Sequence, residues 1–150
     1  MDLVFGEDRA VAEWVCSHIP HVGDADDLGP MVAVGVANGT GMVAGIVYHN
    51  WTPRYGHCEI TFAAASPRFA TRGIIRALLS VPFLQWDCRG VTLIVPHDAA
   101  RTVKFITGIG FVREGCKREF FAPKRHALIY GMKRSEFARL FSRGSAKPSQ

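Results

Sequence analysis

Side-chain polarity changes period along the chain, and each change marks a boundary between elements. Residues 57–79, HCEITFAAASPRFATRGIIRALL, hold two periods in succession. The first part alternates: His57, Glu59, Thr61 and Ala63 share one face of a strand, and Cys58, Ile60, Phe62 and Ala64 share the other. From Gly73 onward Ile74, Ile75, Leu78 and Leu79 recur at helical spacing, with Arg72 and Arg76 four apart on another face. A strand, a Ser-Pro-Arg loop and a helix over residues 71–81 are therefore expected. Pro82 ends or kinks that helix, and Phe83, Leu84 and Trp86 then read as core.

The same reading extends to both ends. Residues 3–5 suit a short edge strand, and residues 8–19 a helix packing through Val11, Trp14, Val15 and His18. Residues 20–30 form a polar, acidic loop. Residues 31–37 and 41–48 are β-rich runs around Asn38-Gly39-Thr40, a strong hairpin signal. Residues 91–95 form an apolar strand, followed by a helix within 97–111 centred on 101–108. Residues 111–121 and 127–133 pair as antiparallel strands about a basic turn, Pro123-Lys124-Arg125-His126. A last helix over 135–141 is capped by Ser135 and the neighbouring glutamate, with Phe137, Leu140 and Phe141 inward. No internal repeat or linker interrupts this order. The expectation is one domain over residues 1–141 and a disordered tail from 142 to 150.

At 150 residues and 48% hydrophobic, the chain is long enough to bury one core. It has no apolar run of the roughly 20 residues that span a membrane. Its acidic start lacks the form of a signal peptide, so a soluble cytoplasmic protein is expected. Cys16, Cys58, Cys88 and Cys116 lie in apolar patterns without CxxC spacing and read as reduced core residues. The net charge of +5 is uneven: −6 over residues 1–50, +2 over 51–100 and +9 over 101–150. A basic half attracts phosphates, acidic substrates or nucleic acid, or serves solubility alone.

The start of the helix at 71 offers unpaired N–H groups and a positive dipole end, reinforced by Arg68 and Arg72, which suits a phosphate. Thr71 is equally suited to cap that end itself. Tyr48, His49, Asn50 and Trp51 gather hydrogen-bonding and aromatic groups where the chain must turn before Pro53. They read as a substrate-binding cluster or as polar tips on a core. Three aspartates at 24, 26 and 27 lack the spacing of a calcium loop, the six histidines lack metal-ligand spacing, and no G-x-S-x-G elbow occurs. No metal is expected.

The strand-loop-helix segment resembles the GCN5-related N-acetyltransferases, whose motif reads Gln/Arg-x-x-Gly-x-Gly/Ala. Gly73 falls on its first glycine, Ala70 stands at the Gln/Arg position and Ile75 at the last small residue, followed by a well-fitting Arg-Ala-Leu-Leu. Downstream, Gly-Ile-Gly-Phe and Val112-Arg113-Glu114-Gly115 resemble the family's Gly-Phe-x-x-Glu-Gly exit from its last cofactor-side helix. Asp98-Ala99 replaces the usual Asn, and Phe105-Ile106 stands where a general-acid Tyr is often found. With Tyr130-Gly131-Met132, the resemblance spans roughly residues 31–133. The chain's shortness, its Tyr-His-Asn-Trp cluster and its Ser-Pro-Arg-Phe-Ala-Thr-Arg loop look closer to short phage-type members, some of which modify DNA bases.

The resemblance implies an α+β fold, a central mixed but mostly antiparallel sheet flanked by helices. It implies acetyl-CoA as cosubstrate, held by Phe62, Ala63, Ala64, Arg68, Thr71, Arg72, Gly73, Ile74 and Ile75. Glu59 is the implied catalytic base, with His57 and His49 as alternatives, and N–H groups near a bulge at 62–64 would polarise the thioester carbonyl. Direct transfer of acetyl to an amine follows, with Tyr48, His49, Asn50 and Trp51 beside the acceptor. The acceptor is a small-molecule, peptide or nucleobase amine, a homodimer stays open and no membrane is involved. The alternative is a non-catalytic relative that binds a ligand or nucleic acid, with Lys124, Arg125, His126, Trp51 and Tyr55 drawing a polyanion to one cleft mouth.

Overall fold

The computed structural model describes residues 1–142. Seven strands form one sheet: β1 (Asp2–Val4), β2 (Met31–Asn38), β3 (Gly41–Thr52), β4 (His57–Ala64), β5 (Gly90–Pro96), β6 (Val112–Ala122) and β7 (Arg125–Lys133). Four helices accompany them: α1 (Asp8–Ser17), α2 (Arg72–Ser80), α3 (Ala100–Ile109) and α4 (Arg134–Leu140). The sheet order is β1-β2-β3-β4-β5-β7-β6, and every neighbouring pair is antiparallel except β4 and β5. This is the α+β arrangement, a mixed, mostly antiparallel sheet with flanking helices, that the resemblance implies.

Alternation along the strands divides the core into two layers. Ala33, Val47 and Ala63 meet α1 through Val11, Ala12, Val15 and Cys16 on one face. On the other face Ile46, Cys58, Ile60, Val91 and Leu93 pack with Ile75, Leu78, Leu79, Phe83 and Ile106. Val11 and Val15 of α1 are buried as expected, but Ala12 and Cys16 complete the buried stripe in place of Trp14 and His18. Trp14 and His18 instead stack on each other at 4.0 Å along the flank of the helix.

Several local expectations need correction. Leu84 is exposed, and Cys116, on edge strand β6, is exposed while the other three cysteines are buried. Asn38 opens the hairpin rather than forming its centre, and its Oδ1 accepts from the Thr40 N–H at 2.8 Å and hydroxyl at 2.6 Å. Arg125 and His126 belong to β7, which leaves Pro123 and Lys124 as the turn. The α4 cap comes from Glu136 accepting the Lys133 N–H at 2.9 Å, and Ser135 lies inside the first turn. The expected tail falls mostly outside the described residues. Among the described residues, no helix is long and apolar enough to cross a membrane.

The parallel pair at the centre of the sheet is incomplete. β4 and β5 pair only at His57↔Gly90, Cys58↔Val91 and Glu59↔Thr92. Beyond Glu59, β4 stays with β3 as far as Ala44↔Ala64, while β5 stays with β7 as far as Pro96↔Ala127. The two parallel strands therefore part in the middle of the sheet.

Candidate active site

The parted strands open a cleft of about 890 Å³ lined by residues 60–64 of β4 and residues 93–96 of β5. Because β4 is bonded to β3 throughout, backbone groups of alternate β4 residues beyond Glu59 point across this gap. The cleft passes from one sheet face to the other. On the α3 side Phe105 contacts Phe62 at 5.6 Å and Phe69 at 5.9 Å between ring centres. On the α1 side the wall is the loop after that helix, with Phe120 and Phe121 of β6 opposite.

Glu59 stands at the vertex, the last paired residue before the strands separate. Its alternation places it on the α1 face, where its side chain is 24% exposed. Oε1 accepts a hydrogen bond from Asn50 Nδ2 at 2.9 Å, and Oε2 lies 4.0 Å from His49 Nε2. A 2.8 Å hydrogen bond joins that same Nε2 to Thr61 Oγ1. His49 is buried, and desolvation lowers its pKa although Glu59 pulls the other way. Its Nδ1 has no hydrogen-bond partner among the described residues. The polar neighbours of the Glu59 carboxylate are thus an amide and an imidazole rather than an arginine.

The Tyr-His-Asn-Trp cluster is split between the two faces. Asn50 has φ of 50°, and the β3–β4 register shifts between His49 and Thr52. Asparagine tolerates this left-handed conformation, and the twist aims Asn50 at Glu59 while turning Trp51 to the opposite face. There Trp51 stacks on Trp86 at 4.6 Å. Tyr48 is a core residue whose hydroxyl donates to the Leu78 carbonyl at 2.6 Å. Only His49 and Asn50 of the four line the cleft. His57 sits at the closed end of the β4–β5 pair, hydrogen-bonded to Thr92 Oγ1 at 2.6 Å, away from the cleft.

The expected coenzyme residues divide similarly. Phe62, Ala63 and Ala64 line the cleft, in an unbroken ladder with β3 rather than at a bulge. Thr71 caps α2: its Oγ1 accepts from Ile74 N–H at 3.3 Å, and its carbonyl accepts from Ile75 N–H at 3.0 Å. The Ile74 and Ile75 amides are thus engaged by Thr71, and the Ile75 side chain is in the core. Arg68, Arg72 and Gly73 lie outward at this turn, partly or fully exposed, with Arg72 over the Phe141 ring at 5.2 Å. At the expected tyrosine position, Phe105 offers no proton.

The acidic loop is engaged in its own fold. Asp24 caps the short helical turn Ala25–Leu28, accepting from Asp26 N–H at 3.0 Å, and Asp27 Oδ2 accepts from Asp24 N–H at 3.0 Å. Asp26 pairs with Arg9 at 2.5 Å. Among the described residues, no group of three or more His, Cys, Asp or Glu could hold a metal. The expected polyanion mouth does not form. Trp51 and Tyr55 adjoin the β4–β5 start, level with Lys133, whereas Lys124 precedes the opposite end of β7, roughly 25–30 Å away by strand rise.

Sequence reasoning missed Thr61, His21, Phe120 and Phe121. Thr61 was readable from alternation, since it shares the Glu59 face. The others meet the cleft only because β6 lies opposite the loop after α1, which no local pattern encodes.

No family model matches the chain, and no curated protein matches its sequence. Solved structures do match. The spermidine/spermine N-acetyltransferase SpeG from Vibrio cholerae, in two glutamate-to-glutamine mutant forms, superposes with a TM-score of 0.73 at 14% identity, over 92% of this chain and 97% of that one. A protein assigned as an acetyltransferase from T. thermophilus gives 0.66 at 18% identity, over 82% of this chain and 71% of that one. Another structure assigned as an acetyltransferase gives 0.68 at 19% identity, over 79% of this chain, which spans 66% of that protein's length. Identities this low speak to architecture, and the shared feature is the mixed sheet with its flanking helices. The chain has the fold of the GCN5-related N-acetyltransferases.

Proposed function

We propose that the protein is an N-acyltransferase that moves an acetyl group from acetyl-CoA to an amine by direct attack. The observation that carries this reading is a carboxylate at the vertex of a gap open to both sheet faces, with one of its oxygens held by Asn50. The α3 side suits the coenzyme. Small residues Ala63 and Ala64 border the gap, so an extended acyl-pantetheine arm can approach the strand backbone. At the helix start Gly73 has no positive φ, and a Cβ there would meet nothing, so the fold gives no reason for glycine. A closely approaching phosphate gives one. Arg68, Arg72 and the Gly73 amide are the groups we assign to the pyrophosphate.

Acetyl-CoA supplies the thioester carbonyl that the amine attacks. Glu59 accepts a proton from the acceptor ammonium, which frees the nitrogen lone pair, while Asn50 fixes the carboxylate rotamer. Backbone N–H groups of β4 that face the gap donate to the developing oxyanion. Phe105 leaves no side-chain acid at the expected place, so the proton for the leaving thiolate comes from the acceptor nitrogen or solvent.

Two observations favour a second reading, a ligand-binding relative without catalysis: Thr71 engages two amides of the helix start, and a phenylalanine stands where the acid is expected. Titration calorimetry with acetyl-CoA, beside free adenosine phosphates, and thiol-release assays separate the two. Acetyl-CoA is expected to bind, with affinity lowered about tenfold or more by Arg68→Glu with Arg72→Glu. Glu59→Gln should keep that affinity and lower turnover about 10²-fold or more. Coenzyme binding without turnover of any amine would favour the second reading.

A further inference from the structure

We propose, building on the acyltransferase reading, that the acceptor is a monoamine carried on an apolar, aromatic body rather than a polyamine. The acceptor side of the cleft is the α1 face, because Glu59, His49 and Thr61 all point there. Its walls are Ile19, Val22 and Leu28 from the loop after α1, and Phe120 and Phe121 from β6. His21 bridges them, meeting the Phe121 ring edge-on at 4.8 Å and 66°. Phe120 meets Phe121 edge-on at 5.0 Å and is itself half exposed. These groups line the chamber with aromatic and aliphatic surface, the lining that sequesters an apolar ligand.

The charges around this chamber point the same way. A polyamine brings several ammonium groups, each needing a carboxylate or equivalent acceptor once removed from water. Glu59 can serve one of them. Asp26 pairs with Arg9, and Asp27, which also lines the cleft, is offset in net charge by Arg101 on the same lining. Asp98 pairs with Arg125 at 3.3 Å. The Arg125 guanidinium lies 5.9 Å from the Phe121 ring centre, so a second ammonium in the chamber would meet a like charge. One amine at Glu59 and an apolar remainder against Phe121 brings no second ammonium toward Arg125.

The test compares 2-phenylethylamine with spermidine as acceptors for the full chain and acetyl-CoA, by thiol release and by mass spectrometry of the product. The expected result is a kcat/KM for 2-phenylethylamine about tenfold or more above that for spermidine. Phe121→Ala should reduce that preference about fivefold to tenfold, chiefly through KM. The preference is a ratio, so partial loss of folded protein leaves it unchanged. Acetyl-CoA affinity is measured first, without amine: no coenzyme binding overturns the acyltransferase reading itself. With the coenzyme bound, preference for spermidine, turnover of neither amine, or a preference unmoved by Phe121→Ala overturns the acceptor assignment.

Discussion

Tyr48→Phe separates a structural tyrosine from a substrate-binding one. The phenol is 1% exposed and donates to the Leu78 carbonyl at 2.6 Å. That carbonyl lacks its usual donor for a reason written in the sequence. Its helical donor would be residue 82, and Pro82 has no N–H to give. The chain after α2 adopts a π turn, Val81–Gln85, with Trp86 N–H reaching the Val81 carbonyl at 3.1 Å. Removing the hydroxyl deprives a buried carbonyl of a donor and leaves a void of one oxygen, a loss of about 1–3 kcal/mol. At about 2 kcal/mol the midpoint of thermal unfolding falls roughly 4–8 °C for a chain of this size. Circular dichroism melts and urea titrations of the two proteins measure this, and acetyl-CoA affinity is measured below the transition. The affinity should not change, because Tyr48 lies across the sheet from His49. A midpoint moved by less than about 1 °C would refute the account of the Leu78 carbonyl. A changed affinity in folded protein would put Tyr48 back at the site.

Two further outcomes follow from the same geometry. Burial holds His49 below the ordinary histidine pKa, and burial with Arg125 does the same for His21. Below about pH 6.5 the unfolded chain therefore binds protons that the folded chain refuses, and stability rises with pH through that window by at most about 1.4 kcal/mol per pH unit per histidine. Urea denaturation near pH 7.5 and pH 5.5 should show a shallower dependence in His49→Gln, and an unchanged dependence would mean that folding leaves the His49 pKa unshifted. Gly110, which ends α3 at φ 126° with Leu140 against the space a Cβ would fill, should lose about 1–2 kcal/mol as Gly110→Ala. A chemical denaturation midpoint equal to that of the unchanged protein would contradict the strain.

The legible parts of this fold are those set by period. Residues 57–64 form the expected strand with the expected faces, and Thr71 caps the expected helix, because alternation and capping are local. Local reasoning fails where one residue reverses the pattern. Strict alternation puts Asn50 with Tyr48 and Trp51 with His49, but the positive φ of Asn50 exchanges their faces. Asparagine before a turn is itself a signal for that conformation. The chamber wall was less legible still. His21 and Phe121 are far apart in the chain and meet only through the sheet order that sets β7 between β5 and β6.

The position of Glu59 joins the legible and the illegible parts. Alternation sends Cys58 and Ile60 into the core beneath α2, so it must send Glu59 to the other face. A carboxylate there would be an ordinary strand residue if β4 and β5 stayed together. They part immediately beyond it, because β5 follows β7 while β4 follows β3, and the same carboxylate then borders a passage between faces. On the acyltransferase reading proposed above, a base must reach an acceptor arriving from the α1 side while the acyl donor lies along the gap, and few positions on the sheet touch both. Moving the carboxylate one residue, as in Glu59→Ala with Ile60→Glu, would turn it into the core beneath α2 and should abolish turnover together with much of the stability. Restoring it two residues on, with Glu59→Ala and Thr61→Glu, keeps the face and places it inside the gap. Partial activity in that second variant, measured by thiol release, is expected if face and gap are what the chemistry requires. Activity in the first variant and none in the second would show that they are not.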